Sequence, residues 1–170
     1  MSSGEKIPYA DAKHIAIKHL RDLILMPEVR KIAIVGSLRR KVEMVGDIDY
    51  QVCVDEDVVY NPIRKLLHHF YDKDGWTLIE HGEKRHIFRM PSGLKINVFF
   101  CHIDEWGSAL MHNTGPMRYN IRKRAQVKRN DMKLNQYGLY NSRGERIASE
   151  TEKDIFYALE WDYVEPEDRR

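Results

Sequence analysis

Between Gly36 and Tyr50 the chain reads GSLRRKVEMVGDIDY. Two carboxylates, Asp47 and Asp49, stand one residue apart. A Gly-Ser pair lies upstream, and Arg39, Arg40 and Lys41 fall between. Alternate residues of a strand point to one face, so a strand here projects both carboxylates together, about 7 Å apart along its axis. Ile48 then turns to the core. Like charges that close repel unless a cation lies between them. Magnesium suits the place, because it takes oxygen ligands and keeps positions for phosphate oxygens. Asp-x-Asp alone more often marks a solvated strand start. The compound pattern is more selective. Gly36 follows an apolar run and lets the backbone come close to a ligand. Backbone N–H groups at such a turn grip phosphate. Ser37 adds a hydroxyl donor and Arg40 a forked cation. The chemistry expected of this stretch is the handling of metal-bound phosphate.

The elements around it must hold that turn and strand. The spacing of Ala12, Ile15, Ala16, Leu20, Leu23 and Ile24 predicts a helix capped by Asp11 and running to about Leu25. Lys31–Val35 (KIAIV) predicts a buried strand feeding the Gly36 turn, and Asp49–Val54 a second strand. Asn61–Tyr71 reads as a helix entered through Pro62. Trp76–Glu80, Arg85–Met90 and Leu94–Phe100 read as strands, the last two joined by Pro91-Ser92-Gly93. Asp104–His112 and Pro116–Arg129 read as helices. KLNQYGLY and ERIAS predict a small hairpin around Asn141–Gly144. Ser149 with Glu152 predicts a capping box for a helix through about Trp161.

With 170 residues, 42% of them hydrophobic, the chain can bury a core as one domain or two small ones. The net charge of +2 excludes a polycation. The charge is uneven, however. Met117–Lys133 holds seven Lys/Arg against one Asp, and Glu150–Arg170 holds eight acids against three bases. The basic segment is a footprint for a polyanion, although charge runs are more commonly solvated helix faces. Cys53 and Cys101 form no Cys-x-x-Cys and sit in apolar runs, which points to free thiols in a reducing, intracellular setting. No His/Cys spacing suggests zinc. No membrane span and no secretory leader are expected.

GSLRR followed by GDID resembles the nucleotidyltransferase motif of the family X DNA polymerases, the DNA polymerase beta family. NTGPMRYNIRKRA is similar to their thumb segment, KLNQYGLY to the hairpin after it, and TEKDIFYALEWDYVEPEDRR to their C-terminal end. The likeness covers about residues 30–170 in the family's order. The size resembles the family's reduced palm-and-thumb form, with no room for the lyase domain and fingers of larger members. The resemblance implies an α/β (α+β) fold: a nucleotidyltransferase palm with a mixed sheet over residues 1–105 and a small α-rich thumb over 106–170. It implies a template-dependent, repair-type polymerase that adds dNTPs to a primer 3′-OH in short gaps. The partners implied are gapped or primer–template DNA and dNTPs, with no membrane and a monomeric state. Nucleus, cytoplasm and viral factory or virion all stay open as its location.

Residue by residue, the resemblance implies that Gly36, Ser37, Arg40 and Gly46 bind the incoming triphosphate. Asp47 and Asp49 would hold two magnesium ions, with manganese an alternative, about 4 Å apart in such sites. A third ligand would come from LKINVFF, where the matching residue is Asn97 rather than an aspartate. An amide is a weaker ligand and a poor proton acceptor. Two readings stand: a natural chain slow or silent in transfer, or a near-isosteric replacement of a native aspartate. Thr114 and Gly115 match the turn that packs on the nucleotide sugar, but His112 and Asn113 stand where two aromatics are usual. Asn120 and Arg124, one helical turn apart, match positions that probe the minor groove and nascent base pair. Arg118, Arg122 and Arg129 fall within about 40° of one another on a helical wheel, a stripe suited to template phosphates. Two competing readings are a small nucleotidyltransferase with a non-DNA acceptor and a catalytically silent DNA-binding module.

Overall fold

The structure, a computed structural model, describes residues 6–54 and 75–170. The helix expected over Asn61–Tyr71 lies outside the described residues. β1 (Ile7–Pro8) leads directly into α1 (Tyr9–Ile24). Next come β2 (Val29–Ile34), the short helix α2 (Gly36–Arg39), β3 (Met44–Val45) and β4 (Asp47–Val54). β5 (Thr77–His81), β6 (Arg85–Arg89) and β7 (Lys95–Cys101) complete a five-stranded sheet of order β2-β4-β7-β6-β5. Only the β4–β7 pairing in it is parallel, so the sheet is mixed.

Alternation sorts the two central strands. Ile48, Tyr50 and Val52 of β4 and Ile96, Val98 and Phe100 of β7 join one core with Ala12, Ala16 and Leu23 of α1. Each large apolar side chain buried this way contributes roughly 1.5–3 kcal/mol. The Tyr50 hydroxyl donates to the Ala16 carbonyl at 2.8 Å, which fixes helix to sheet. The intervening residues, Asp47, Asp49, Gln51 and Cys53, line the opposite face.

That face is covered by α3 (Trp106–Thr114), entered through a 3₁₀ turn at Ile103–Glu105. A Cβ on Gly107 would overlap the backbone of Thr151, so only glycine lets α3 pack against the start of α5 (Glu152–Ala158). α4 (Met117–Lys128) precedes β8 (Lys133–Asn135), β9 (Gly138–Tyr140) and β10 (Arg146–Ala148), a three-stranded meander. Met111, Tyr119, Val127, Leu134, Leu139, Ile155 and Phe156 form a second core among these elements. Cys53 and Cys101 are buried free thiols beside Ala109 and Trp106. No helix among the described residues is long and apolar enough to cross a membrane.

Several local expectations need correction. α1 starts at Tyr9, behind Pro8, whose φ of −57° and place in β1 end the strand. Asp11 is therefore in the first turn, favourable to the helix dipole, rather than its cap. Ile24 is exposed, and the buried His19 takes a place on the core face. The capping box of α5 is Thr151 with Asp154, not Ser149 with Glu152. Glu152 is drawn instead into a buried ion pair. α5 ends at Ala158, short of Trp161, and Glu160 beyond it is left-handed at φ +54°. KLNQYGLY is itself a hairpin, β8–β9, and the turn at Asn141–Gly144 adds β10.

Candidate active site

The parallel register sets Asp49 opposite Asn97 and Asp47 opposite Lys95. The three candidate ligands therefore converge. Asn97 Nδ2 donates to Asp49 Oδ1 at 2.6 Å and to Asp47 Oδ2 at 3.2 Å. One amide thus bridges two carboxylates. Burial, then the neighbouring Asp47, pushes the Asp49 carboxyl up to about 7, while Asn97 and Arg40 pull it back. Holding both carboxylates ionised is costly without a cation between them.

Gly36 lies beneath Asp49. Its φ is +62°, and a Cβ there would collide with the Asp49 carboxylate, so both the turn and the acid require glycine. Val35 N–H donates to the Asp49 carbonyl at 2.8 Å, which clamps the turn to β4. Ser37 Oγ is buried and has no hydrogen-bond partner among the described residues. A buried hydroxyl without a partner calls for an explanation, and a phosphate oxygen supplies one. Gly46 sits half-buried between β3 and β4, beside Lys6.

The two arginines diverge. Arg40 Nη1 donates to the Thr114 carbonyl, and its charge faces Asp49 and Asp47; burial holds its guanidinium below the usual arginine range. Arg39 turns the other way. It donates to Thr114 Oγ1 at 2.5 Å and makes paired bonds to Glu152 at 2.6 and 3.0 Å. Glu152, 5% exposed, also accepts from Arg169 Nη1 at 2.7 Å and from Tyr163 at 3.2 Å. Burial alone would raise its pKa, but Arg39 and Arg169 outweigh that and hold it below the ordinary carboxylate range. The sequence reading missed this cluster. The only signals for it were the Arg-Arg doublet and an acid inside an otherwise amphipathic helix.

Thr114 is buried, and Gly115 at φ +63° precedes a cis bond to Pro116. From α4, Asn120 Nδ2 donates to the His112 carbonyl at 2.7 Å, and Arg124 Nη2 lies 2.7 Å from His112 Nδ1. Arginine only donates, so this ring is neutral with Nδ1 accepting. Burial and Arg124 both lower the pKa of His112. Asn120 and Arg124, expected to probe DNA, are thus engaged with the turn. Arg118, Arg122 and Arg129 are exposed. Asp104 pairs with Arg146, away from the acids.

Among the described residues no three His, Cys, Asp or Glu side chains group as metal ligands. The two convergent carboxylates, the costly Asp49 charge and the orphaned Ser37 hydroxyl nevertheless fit an oxygen-liganded divalent cation with phosphate.

The DNA polymerase beta thumb family matches residues 109–170. Repair DNA polymerase X of African swine fever virus, in a Namibian warthog isolate, is 31% identical over 175 residues, covering 98% of this chain and 96% of that protein. The chain belongs to the family X DNA polymerases. The same protein from a Kenyan pig isolate is 29% identical over 174 residues, covering 99% and 98%. Polymerase beta of Leishmania infantum, crystallised as a ternary P/T complex, superposes with a TM-score of 0.84 at 18% identity, covering 99% of this chain and 78% of that one. That likeness shows the fold of family X, α+β with a mixed sheet. In this family X chain the Asp47–Asp49 pair is bridged by the Asn97 amide.

Proposed function

We propose that the chain is a template-dependent DNA polymerase of repair type, which joins a dNTP to a primer 3′-OH in short DNA gaps, and that Asn97 makes it slow. The observation that carries this reading is the convergence of Asp47, Asp49 and Asn97 directly above the Gly36–Ser37 turn. Asp47 and Asp49 would hold magnesium, or manganese in its place, which when bound neutralises phosphate charge and lowers the pKa of the attacking hydroxyl. Gly36 brings the backbone close to the triphosphate, Ser37 donates its hydroxyl, and Arg40 supplies positive charge against it. The new bond joins the primer oxygen to the α-phosphorus, the bond to the β-phosphate breaks, and pyrophosphate leaves. With an amide rather than a carboxylate at position 97, the primer proton passes to water. The division into a palm of residues 1–105 and a thumb of 106–170 follows the same reading. Exposed Arg118, Arg122 and Arg129 would meet DNA phosphates, and Thr114, Gly115 and Asn120 would form the nucleotide wall.

One observation favours a second reading, a DNA-binding module without transfer: the Asn97 amide already donates to both carboxylates and occupies the space between them. Single-nucleotide incorporation on one-nucleotide-gapped DNA with Mg²⁺ decides between them. Asn97→Asp should raise the rate by roughly two to four orders of magnitude, since such electrostatic effects are worth several kcal/mol and each ~1.4 kcal/mol is tenfold. A rate in Asn97→Asp as low as in the unchanged chain would sink the polymerase reading.

A further inference from the structure

Gln51 follows Asp47 and Asp49 on the same face of β4, and it is fully buried. A buried amide is costly unless its groups are paired. Here Nε2 donates to the Phe99 carbonyl of β7 at 3.2 Å, and Oε1 accepts from Asn113 Nδ2 at 2.5 Å. Phe99 stands opposite Gln51 in register, one pleat beyond the Asp49–Asn97 pair. Asn113 is the residue before Thr114, whose hydroxyl and carbonyl receive Arg39 and Arg40. One side chain therefore touches the acid-bearing strand, its neighbour and the turn across the site.

The chemistry at 113 makes this more than packing. The family resemblance places an aromatic there, which tolerates small slides against a sheet. An amide pair is directional and weakens steeply off its preferred distance and angle. Thr114 is held from the end of α2 by Arg39 and Arg40, and His112 from α4 by Asn120 and Arg124. Asn113 supplies the tie to the sheet that carries the acids. Arg40 bonds the Thr114 carbonyl while facing Asp49 and Asp47, so a displaced turn displaces that charge as well.

We infer that Gln51 and Asn113 are positioning residues, which set the spacing between the Thr114–Gly115 turn and the Asp47–Asp49 carboxylates and so the fit of a magnesium-bound deoxynucleoside triphosphate. The inference rests on the nucleotide-transfer reading above. Neither side chain touches a reacting atom; both act through Thr114, Arg40 and the acids.

The test titrates Mg²⁺ with each of the four dNTPs into the unchanged chain and into Gln51→Leu, Asn113→Leu and the double variant, with Tm measured on the same samples. Gln51→Leu strands Asn113 Nδ2 and Asn113→Leu strands Gln51 Oε1, so in each Tm falls and nucleotide affinity drops about tenfold to a hundredfold. The double variant has apolar groups on both sides, so Tm recovers while the affinity stays low. The swap Gln51→Asn with Asn113→Gln keeps an amide pair of the same combined length and restores the affinity. Affinity that follows Tm through the whole set means packing alone and overturns the inference. Single variants that bind nucleotide like the unchanged chain overturn it too. An unchanged chain that binds no Mg²⁺–dNTP overturns the transfer reading first and this inference with it, a failure visible before any variant is made.

Discussion

The acid face of β4 and β7 and the turn from His112 to Gly115 belong to one site but are assembled by different rules. On the sheet, strand alternation and one parallel register bring Asp47, Asp49 and Asn97 together. The turn is held by side chains from three other places: Arg39 and Arg40 at the end of α2, Gln51 of β4, and Asn120 and Arg124 of α4. The acids gain no stability from their position, since burial, then the neighbouring Asp47, raises the pKa of Asp49. The ties around the turn bury polar groups that must stay paired. Changes on the sheet face should therefore alter rate with little effect on folding, and changes at the ties should alter folding itself.

The largest effect expected is at Asp47. In an Asn97→Asp background, Asp47→Ala should cut incorporation on gapped DNA by about a thousandfold or more, because a shared ligand is lost. Stability in urea should hold or rise slightly, since a like charge beside Asp49 is removed. Transfer persisting at a comparable rate would remove the acids from the site. A large loss of stability would erase the contrast between face and turn.

Glu152 probes the other side of the comparison. Glu152→Ala strands Arg169, which is fully buried in its side chain, and frees Arg39 from its carboxylate. Breaking a buried pair from one side typically costs about 3–5 kcal/mol, to be read from the urea midpoint at unchanged m. The pH dependence has a definite sign. The folded pKa of Glu152 lies below its unfolded value, so the unfolded state binds the proton first. The contribution is present above the unfolded value, about 4.3, and is lost as pH falls through the folded one. Glu152→Gln should flatten the stability curve in that acidic window. An unflattened curve would show that the carboxylate is not held by the two arginines.

How much of this was legible in the sequence follows the same divide. The strand pair, its alternation and the Gly36 turn could be read because each depends on residues a few positions apart. The resemblance over residues 30–170 added the order of the parts, and it pointed to Asn97 as the departure. The Arg39–Glu152–Arg169 cluster was not legible, because its members lie 113 and 17 positions apart and no local pattern pairs them. The capping box was misplaced for the same reason. Ser149–Glu152 satisfies the spacing rule, but tertiary ion pairing claims Glu152 and leaves the cap to Thr151. The resemblance matched Asn120 and Arg124 to positions that probe DNA, and their contacts with His112, which depend on where α3 ends, were not legible from helix spacing.

α4 carries both kinds of residue on one helix, which permits the finest comparison. Arg118 and Arg122 are exposed, whereas Arg124 is half-buried against His112. Each arginine that contacts a DNA phosphate releases counterions, and the slope of log K against log salt falls by roughly one for each contact removed. Arg118→Ala with Arg122→Ala should therefore lower the slope by about two, for gapped DNA of any sequence. The fold should stay within about 0.5 kcal/mol, as for surface changes that break no tie. Arg124→Ala should do the reverse. It should leave the slope nearly unchanged but cost stability, because His112 Nδ1 loses its donor. Fluorescence anisotropy at several salt concentrations, with urea melts on the same proteins, measures both quantities. If the slope falls only in Arg124→Ala, the stripe of Arg118 and Arg122 faces away from DNA and the inner face of α4 is the one that reads it.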